Sequence, residues 1–266
     1  MSNMKVLVGC DPEVFVKQNG VFVSAYGLIK GDKRNPQKVN RGAVQVDGMA
    51  LEFNTDPAAS EEEFLLNVSD VFNTLKLMCP NYEIATVPVA DFPLEYIQQQ
   101  PQEAKELGCD PDFNAWLSSV NEKPNGDVPM RTASGHVHIG WGNEFDVGSY
   151  DHQMTCEQVV KQMDFYLGLP SLHYDNDLRR RELYGKAGCY RPKSYGTEYR
   201  TLSNAWLKSP ELIKWVFRQV QEGMSQLFKG NILSEKYGDI QNIINSSSLK
   251  EANAIIKREN IEVCLG

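Results

Sequence analysis

The heptapeptide Ser134-Gly135-His136-Val137-His138-Ile139-Gly140 holds two of the chain's four histidines. In an extended segment residues two apart point the same way, so both imidazoles would line one face of a strand. Three other short runs place acidic residues in strand-like surroundings: Asp11-Pro12-Glu13, Leu51-Glu52-Phe53-Asn54-Thr55 and Gly196-Thr197-Glu198-Tyr199-Arg200. Laid side by side in one sheet, the four runs would line a pocket with carboxylates and imidazole, which is a donor set for a hard divalent cation. Carboxylates that converge without a cation repel one another, so an ion would also explain how the cluster is tolerated. The pattern reads as a metal-dependent enzyme.

Seven of the 27 basic residues (Arg179, Arg180, Arg181, Lys186, Arg191, Lys193 and Arg200) crowd into 22 positions, with only Glu182 and Glu198 between them. Cations for phosphates beside carboxylates for their magnesium are what a nucleotide needs, although Arg179 to Arg181 alone could be a solvated charged face. Arg200, two residues from Glu198 and on the same strand face, could hold a phosphate bidentately. No Ser-His-Asp or Cys-His arrangement suggests a protein nucleophile, and no third His or Cys at close range suggests zinc.

The net charge of −8 argues against extended nucleic-acid binding. The six cysteines show no CxxC pairing and are expected to be free thiols. The sequence shows neither an apolar run long enough to span a bilayer nor a leader of the signal-peptide kind, so the expectation is a cytosolic protein that makes no membrane contact.

Stepwise along the chain, Val6 to Gly9, Val14 to Lys17 and Val21 to Ala25 read as strands, with Asn19-Gly20 as a hairpin turn. A polar loop carrying Lys33 follows, then a strand from Val44 to Phe53. Asp47 could add a ligand to Glu52, but their odd spacing on one strand would require a bulge. Ser60 with Glu63 opens a helix whose apolar stripe runs to Cys79. Tyr82 to Val89 reads as a strand, and Gln98 to Asp127 as a long surface excursion. Within it, Cys109-Asp110-Pro111-Asp112 echoes Cys10-Asp11-Pro12-Glu13, an echo read as coincidence. Val137 to Trp141 is a strand, Thr155 with Gln158 caps a helix to about Leu169, and Ser209-Pro210 opens another. Two short helical stretches flank Ser246-Ser247-Ser248 in a helical tail from about residue 230. The expectation is a single α+β domain over residues 1–266, an antiparallel sheet with helices on one face.

In this order the motifs resemble the glutamine synthetase and glutamate–cysteine ligase superfamily, in particular the phage-associated carboxylate–amine ligases. Tyr184-Gly185-Lys186-Ala187-Gly188 and Tyr195 through Asn204 add to the likeness. The resemblance implies a curved antiparallel sheet forming an active-site funnel, with helices on its outer face, that binds ATP and Mg2+ or Mn2+. Carried over by motif, Asp11, Glu13, Glu52, His136 and Glu198 would hold metal, with His138 the alternative histidine or a substrate contact. Asp11 stands where the superfamily more usually has glutamate. Arg200 would contact phosphate, and Lys186, Arg191, Arg181 and Arg131 are candidates for ATP phosphates or the carboxylate substrate. The implied reaction joins a small-molecule or peptide carboxylate to an amine through an acyl phosphate, in the host cytoplasm if the chain is phage-encoded. Three rival readings stand beside it: a phosphotransferase of the guanidino-kinase type, a metal-dependent hydrolase, and a non-catalytic phage protein that keeps the fold. Either substrate's identity and the oligomeric state stay open.

Overall fold

The computed structural model describes residues 5–105, 112–122, 128–142, 144–175 and 177–265. In chain order the strands are β1 (Leu7–Gln18), β2 (Val21–Val23), β3 (Gln37–Val39), β4 (Gly42–Asp47), β5 (Ala50–Thr55), β6 (Glu83–Ala85), β7 (Val89–Asp91), β8 (Phe113–Asn114), β9 (Ser119–Val120), β10 (Met130–Thr132), β11 (Gly135–Gly140), β12 (Cys189–Lys193) and β13 (Gly196–Tyr199). One large sheet runs β3-β4-β5-β1-β11-β13-β12-β8-β9, with β2 and β6 on the end of β1, while β7 and β10 form a separate pair. The pairings between these strands are antiparallel.

Strand β1 runs through Asp11-Pro12-Glu13, where the sequence suggested two strands with a break between them. Leu7 to Pro12 pair with β11, Glu13 and Val14 with β5, and the end of the strand with β2 and β6. Pro12, which has no N–H to give to a ladder, sits where β1 passes from one neighbour to the next. The expected strand from Val44 to Phe53 is instead the hairpin β4–β5, with Asp47 opposite Ala50. Gly48 supplies the positive φ of 58° that the two-residue loop requires. Tyr82 to Val89 likewise divides into β6 and β7, with Pro88 between them.

Alternation along β1 sorts its residues between two environments. Val8, Cys10, Val14 and Val16 are buried in the main core, whereas Asp11, Glu13 and Phe15 face the opposite side of the sheet. Helices α1 (Glu61–Met78), α2 (Tyr150–Met163) and α3 (Pro210–Phe228) supply the rest of that core through Phe64, Val68, Val160, Met163, Val216 and Val220. Ser60 caps α1 by accepting from the Glu63 N–H, and the Glu63 carboxylate reaches back to the Ala59 N–H.

Helix α2 starts earlier than expected. Ser149 is its cap, accepting from the His152 N–H, while the Thr155 hydroxyl is spent on the Asp151 carbonyl one turn back. Beyond Met163 the helix widens into a π turn over Asp164–Gly168. The buried Asp164 carboxylate there accepts from Trp116 Nε1 and Tyr199 Oη, each at 2.7 Å, which ties the helix to β13. In the tail, short helices at Leu233–Tyr237 and Gln241–Asn245 precede α4 (Leu249–Glu259). Ile240, Ile244, Ile255 and Ile256 form a second core with Phe165 and Leu169.

Gly135 fixes the position of the histidine strand. Its carbonyl accepts from the buried Trp206 indole at 3.0 Å, and a Cβ there would lie 2.2 Å from the Ser203 carbonyl oxygen. Gly135→Ala is therefore expected to destabilise the fold by about 1–3 kcal/mol through overpacking against backbone. Urea unfolding monitored by tryptophan fluorescence measures this, and an unchanged midpoint would remove the constraint.

Candidate functional site

Residues directly opposite one another in adjacent strands share a face. That rule carries the chemistry across six strands. Gln45 of β4 faces Glu52 of β5, which faces Glu13 of β1. On the other side, Asp11 faces His136 of β11, His138 faces Glu198 of β13, and Glu198 faces Arg191 of β12. The row borders a cavity of about 340 Å³ whose wall includes Asp11, Glu13, Asp47, Glu52 and His136. Glu198 lies just beneath the wall, 1% exposed.

Two groups of donor atoms stand out. Asp11, His136 and Glu198 form one, and Glu13, Asp47 and Glu52 the other; within each, the ligand atoms lie within 4.8 Å of one another. His136 Nδ1 is 3.4 Å from both Asp11 Oδ1 and Glu198 Oε1. His138 Nε2 is 3.0 Å from Asp11 Oδ1, and its Nδ1 meets the Tyr195 hydroxyl. Glu13 is held by the Ser134 N–H at 2.8 Å.

Positive charge gathers at the β12–β13 end. Lys193 Nζ is 2.8 Å and Arg191 3.7 Å from Glu198, Arg200 pairs with the same carboxylate, and Arg200 Nε is 3.4 Å from Asp112. Arg131 is buried in the wall, with its guanidinium donating to the Met130 carbonyl at 2.8 Å.

Burial raises the carboxyls of both groups, but the net outcome differs between them. Burial and the neighbouring Asp47 push the Glu13 carboxyl up to about 7. Burial, reinforced by Asp11, Asp47 and Glu13, lifts Glu52 well above the usual carboxylate range. Burial also acts against Asp11 and Glu198, but cations win there. His138 and His136 hold Asp11 well below its ordinary value, and Arg200 with the two histidines brings Glu198 down to about 2. His136 falls to about 4 through burial and the adjacent Arg200. The protein thus balances the first group with its own cations and leaves the second short of positive charge, so that its carboxyls hold protons where a hard divalent ion would find oxygen donors.

The structure brings Asp11, Glu13, Glu52, His136, Glu198, Arg131, Arg191 and Arg200 together around one cavity. Lys186 and Arg181 are elsewhere. The Lys186 side chain is exposed and away from the wall, and Arg181 is buried with its guanidinium 3.1 Å from Ser247 Oγ of the tail.

Sequence reasoning raised Asp47 only on condition of a bulge and missed other participants. Asp47 joins Glu52 because the chain reverses at Gly48, so no bulge is required; the Asp47-Gly48 pair was the available hairpin signal. Lys33, read as a loop lysine, reaches Asp47 at 2.7 Å. Asp112, at the end of the dismissed echo, faces Arg200, while Cys109 to Pro111 lie outside the described residues. Lys193 was flagged only as part of the basic stretch, and Gln45 carried no signal of its own.

Residues 123–228, about two-fifths of the chain, match the family described as phage phiEco32-like COOH.NH2 ligase-type 2. The match bears out the resemblance to phage-type carboxylate–amine ligases and supports an enzyme of ligase type. No curated protein matches the chain. Among similar solved structures is one described as a crystal structure of a novel glutamine synthase homolog, with 12% identity and a TM-score of 0.44. The comparison covers 95% of this chain, which spans 62% of that one. No helix among the described residues is long and apolar enough to cross a membrane.

The raised Glu13 sets a pH dependence. In chelator, its folded value near 7 exceeds the usual unfolded value, so its contribution to stability is present below about pH 4.5 and lost as pH rises through 7. Glu13→Gln removes that loss. The variant is expected to gain on wild type by up to roughly 3 kcal/mol between pH 4.5 and 8. Paired urea titrations across that range provide the check, and parallel curves would contradict it.

Proposed function

We propose that this chain is an ATP- and Mg2+- or Mn2+-dependent carboxylate–amine ligase that forms an amide through an acyl phosphate. The observation that carries the reading is the pair of donor groups, Asp11–His136–Glu198 and Glu13–Asp47–Glu52, side by side on one sheet face and bordered by Arg191, Lys193, Arg200 and Arg131. On this reading each group holds one ion, and the sheet face serves as the active-site funnel. Asp11, His136 and Glu198 would hold one ion and Glu13, Asp47 and Glu52 the other, and the chemistry such ions would supply is charge neutralisation at a phosphoryl group.

The protein's own residues would do the positioning. Arg200, anchored by Asp112 and Glu198, presents a fixed guanidinium to the phosphoryl group, and Arg191 and Lys193 extend that cationic wall. Arg131, buried and braced by backbone carbonyls at 2.8 and 3.3 Å, is suited to the substrate carboxylate. The carboxylate attacks the γ-phosphorus and ADP leaves; the amine then attacks the acyl carbon and releases phosphate, with its proton passing to solvent or a cavity carboxylate. Neither step needs a protein nucleophile. A small or peptide carboxylate and an amine are the expected substrates.

ADP release in the presence of Mg2+ or Mn2+, with carboxylates and amines supplied singly and in pairs, tests the proposal. ADP that appears only with both partners establishes the ligase. ADP with one acceptor and no amide would instead indicate a phosphotransferase. Glu52→Gln and Glu198→Gln are each expected to lower turnover by ~10²–10³-fold, a loss typical of removing preorganised charge, while circular dichroism stays unchanged. Wild-type turnover in either variant would remove that residue from the machinery.

A further inference from the structure

Lys33 has a place at the cavity that the proposed chemistry leaves unexplained. It sits between β2 and β3 in a segment docked on β4 through its backbone. The Gly31 carbonyl accepts from the Val46 N–H at 2.9 Å, and Asp32 bridges to Val46. A Cβ at Gly31 would lie 2.1 Å from the Val44 carbonyl oxygen, so the segment rests directly on the strand. Asp32 Oδ1 accepts from the Arg34 and Asn35 N–H groups at 2.8 Å each, which closes a tight turn around Lys33. From this fixed base the Lys33 ammonium reaches Asp47 Oδ1 at 2.7 Å. Asp47 is one of the three carboxylates that converge in the second donor group, and Lys33 also acts on Glu13. The lysine side chain is 38% exposed, so it has a path away from the site toward solvent.

We propose that Lys33 is a tethered competitor for the cation site formed by Glu13, Asp47 and Glu52. The inference rests on the metal-site reading above. A tethered ammonium acts at a high effective concentration. A monovalent ion brings no more charge to the carboxylates than the ammonium it must displace, so it gains nothing by entering. A divalent ion brings twice the charge and displaces it. Lys33 therefore weakens cation binding in general and selects for divalent ions. Its displacement also moves a positive charge away from Asp47 and toward the cavity mouth, where an anionic group of a substrate would meet it. Cation and anion binding then favour each other, because each competes for one half of the same ion pair.

Mn2+ titrations of the full chain, followed by electron paramagnetic resonance at fixed ionic strength, test this without reference to turnover. The bulk cation is tetramethylammonium in one series and potassium in the other. Lys33→Met is expected to bind Mn2+ about tenfold tighter in tetramethylammonium, from loss of a like charge a few ångströms away. Potassium is expected to compete in that variant and not in wild type. Lys33→Arg, which keeps the charge, should resemble wild type. Unchanged or weaker Mn2+ binding by Lys33→Met would overturn the proposal, as would equal competition by potassium in all three proteins. Wild type that binds no Mn2+ would overturn the metal-site reading itself, and the inference with it. Glu52→Gln, expected to lose the Mn2+ held by Glu13, Asp47 and Glu52 and to keep the one held by Asp11, His136 and Glu198, separates the two outcomes.

Discussion

The ladder of β1 is the interaction on which the site depends. One strand hydrogen-bonds to β11 over its first half and to β5 just beyond Pro12, so Asp11 is registered against His136 and Glu13 against Glu52 within three residues. Side chains on its other face pack against the core of α1, α2 and α3. A slip of one residue would exchange the two faces and put carboxylates into that core, where burying unpaired charge is prohibitive. The helices therefore hold the register, and the register holds the donor groups.

Charge balance is the second constraint. The sheet gathers carboxylates from β1, β4, β5 and β13, and it treats its two ends differently. At the β11–β13–β12 end each acid meets cations of the protein: Glu198 alone touches Arg191, Lys193 and Arg200. At the β4–β5 end three acids converge, the Lys33 ammonium lies 2.7 Å from Asp47, and the Glu13 and Glu52 carboxyls are driven upward. One half is neutralised by the protein's own cations, and the other carries a deficit of positive charge. Buried side-chain hydrogen bonds support the arrangement from behind. Asp164 in the π turn grips Tyr199 and Thr201, the residues on either side of Arg200, and the Trp116 indole of the segment that carries Asp112. Such helix widenings occur frequently beside functional sites.

The site was legible where its residues sit in local patterns. His136 and His138 declared a strand face by their spacing, and Glu198-x-Arg200 did the same. The alternation of β1 was equally plain, although Pro12 made one strand look like two. Reading failed where partners come from distant segments with no pattern of their own. Lys33 and Asp112 lie in polar loops, and nothing in those stretches shows that one docks on β4 and the other approaches β13. Arg181 shows the opposite case: a basic run suggested phosphate, and the fold buries the side chain against the tail with its guanidinium at Ser247.

By itself, then, the sequence determined the local elements and which side chains share a strand face, because hydrophobic period and turn chemistry act over a few residues. It also determined the chemical type of the site, since carboxylate, imidazole and guanidinium have the same ligand preferences in any fold. Tertiary structure decided the grouping. Glu13 joins Asp47 and Glu52, and Asp11 joins His136 and Glu198, only because β1 changes neighbour at Pro12 and the chain reverses at Gly48. Those groupings depend on strand order, which is settled by packing against three helices distant in sequence. No spacing along the chain encodes it.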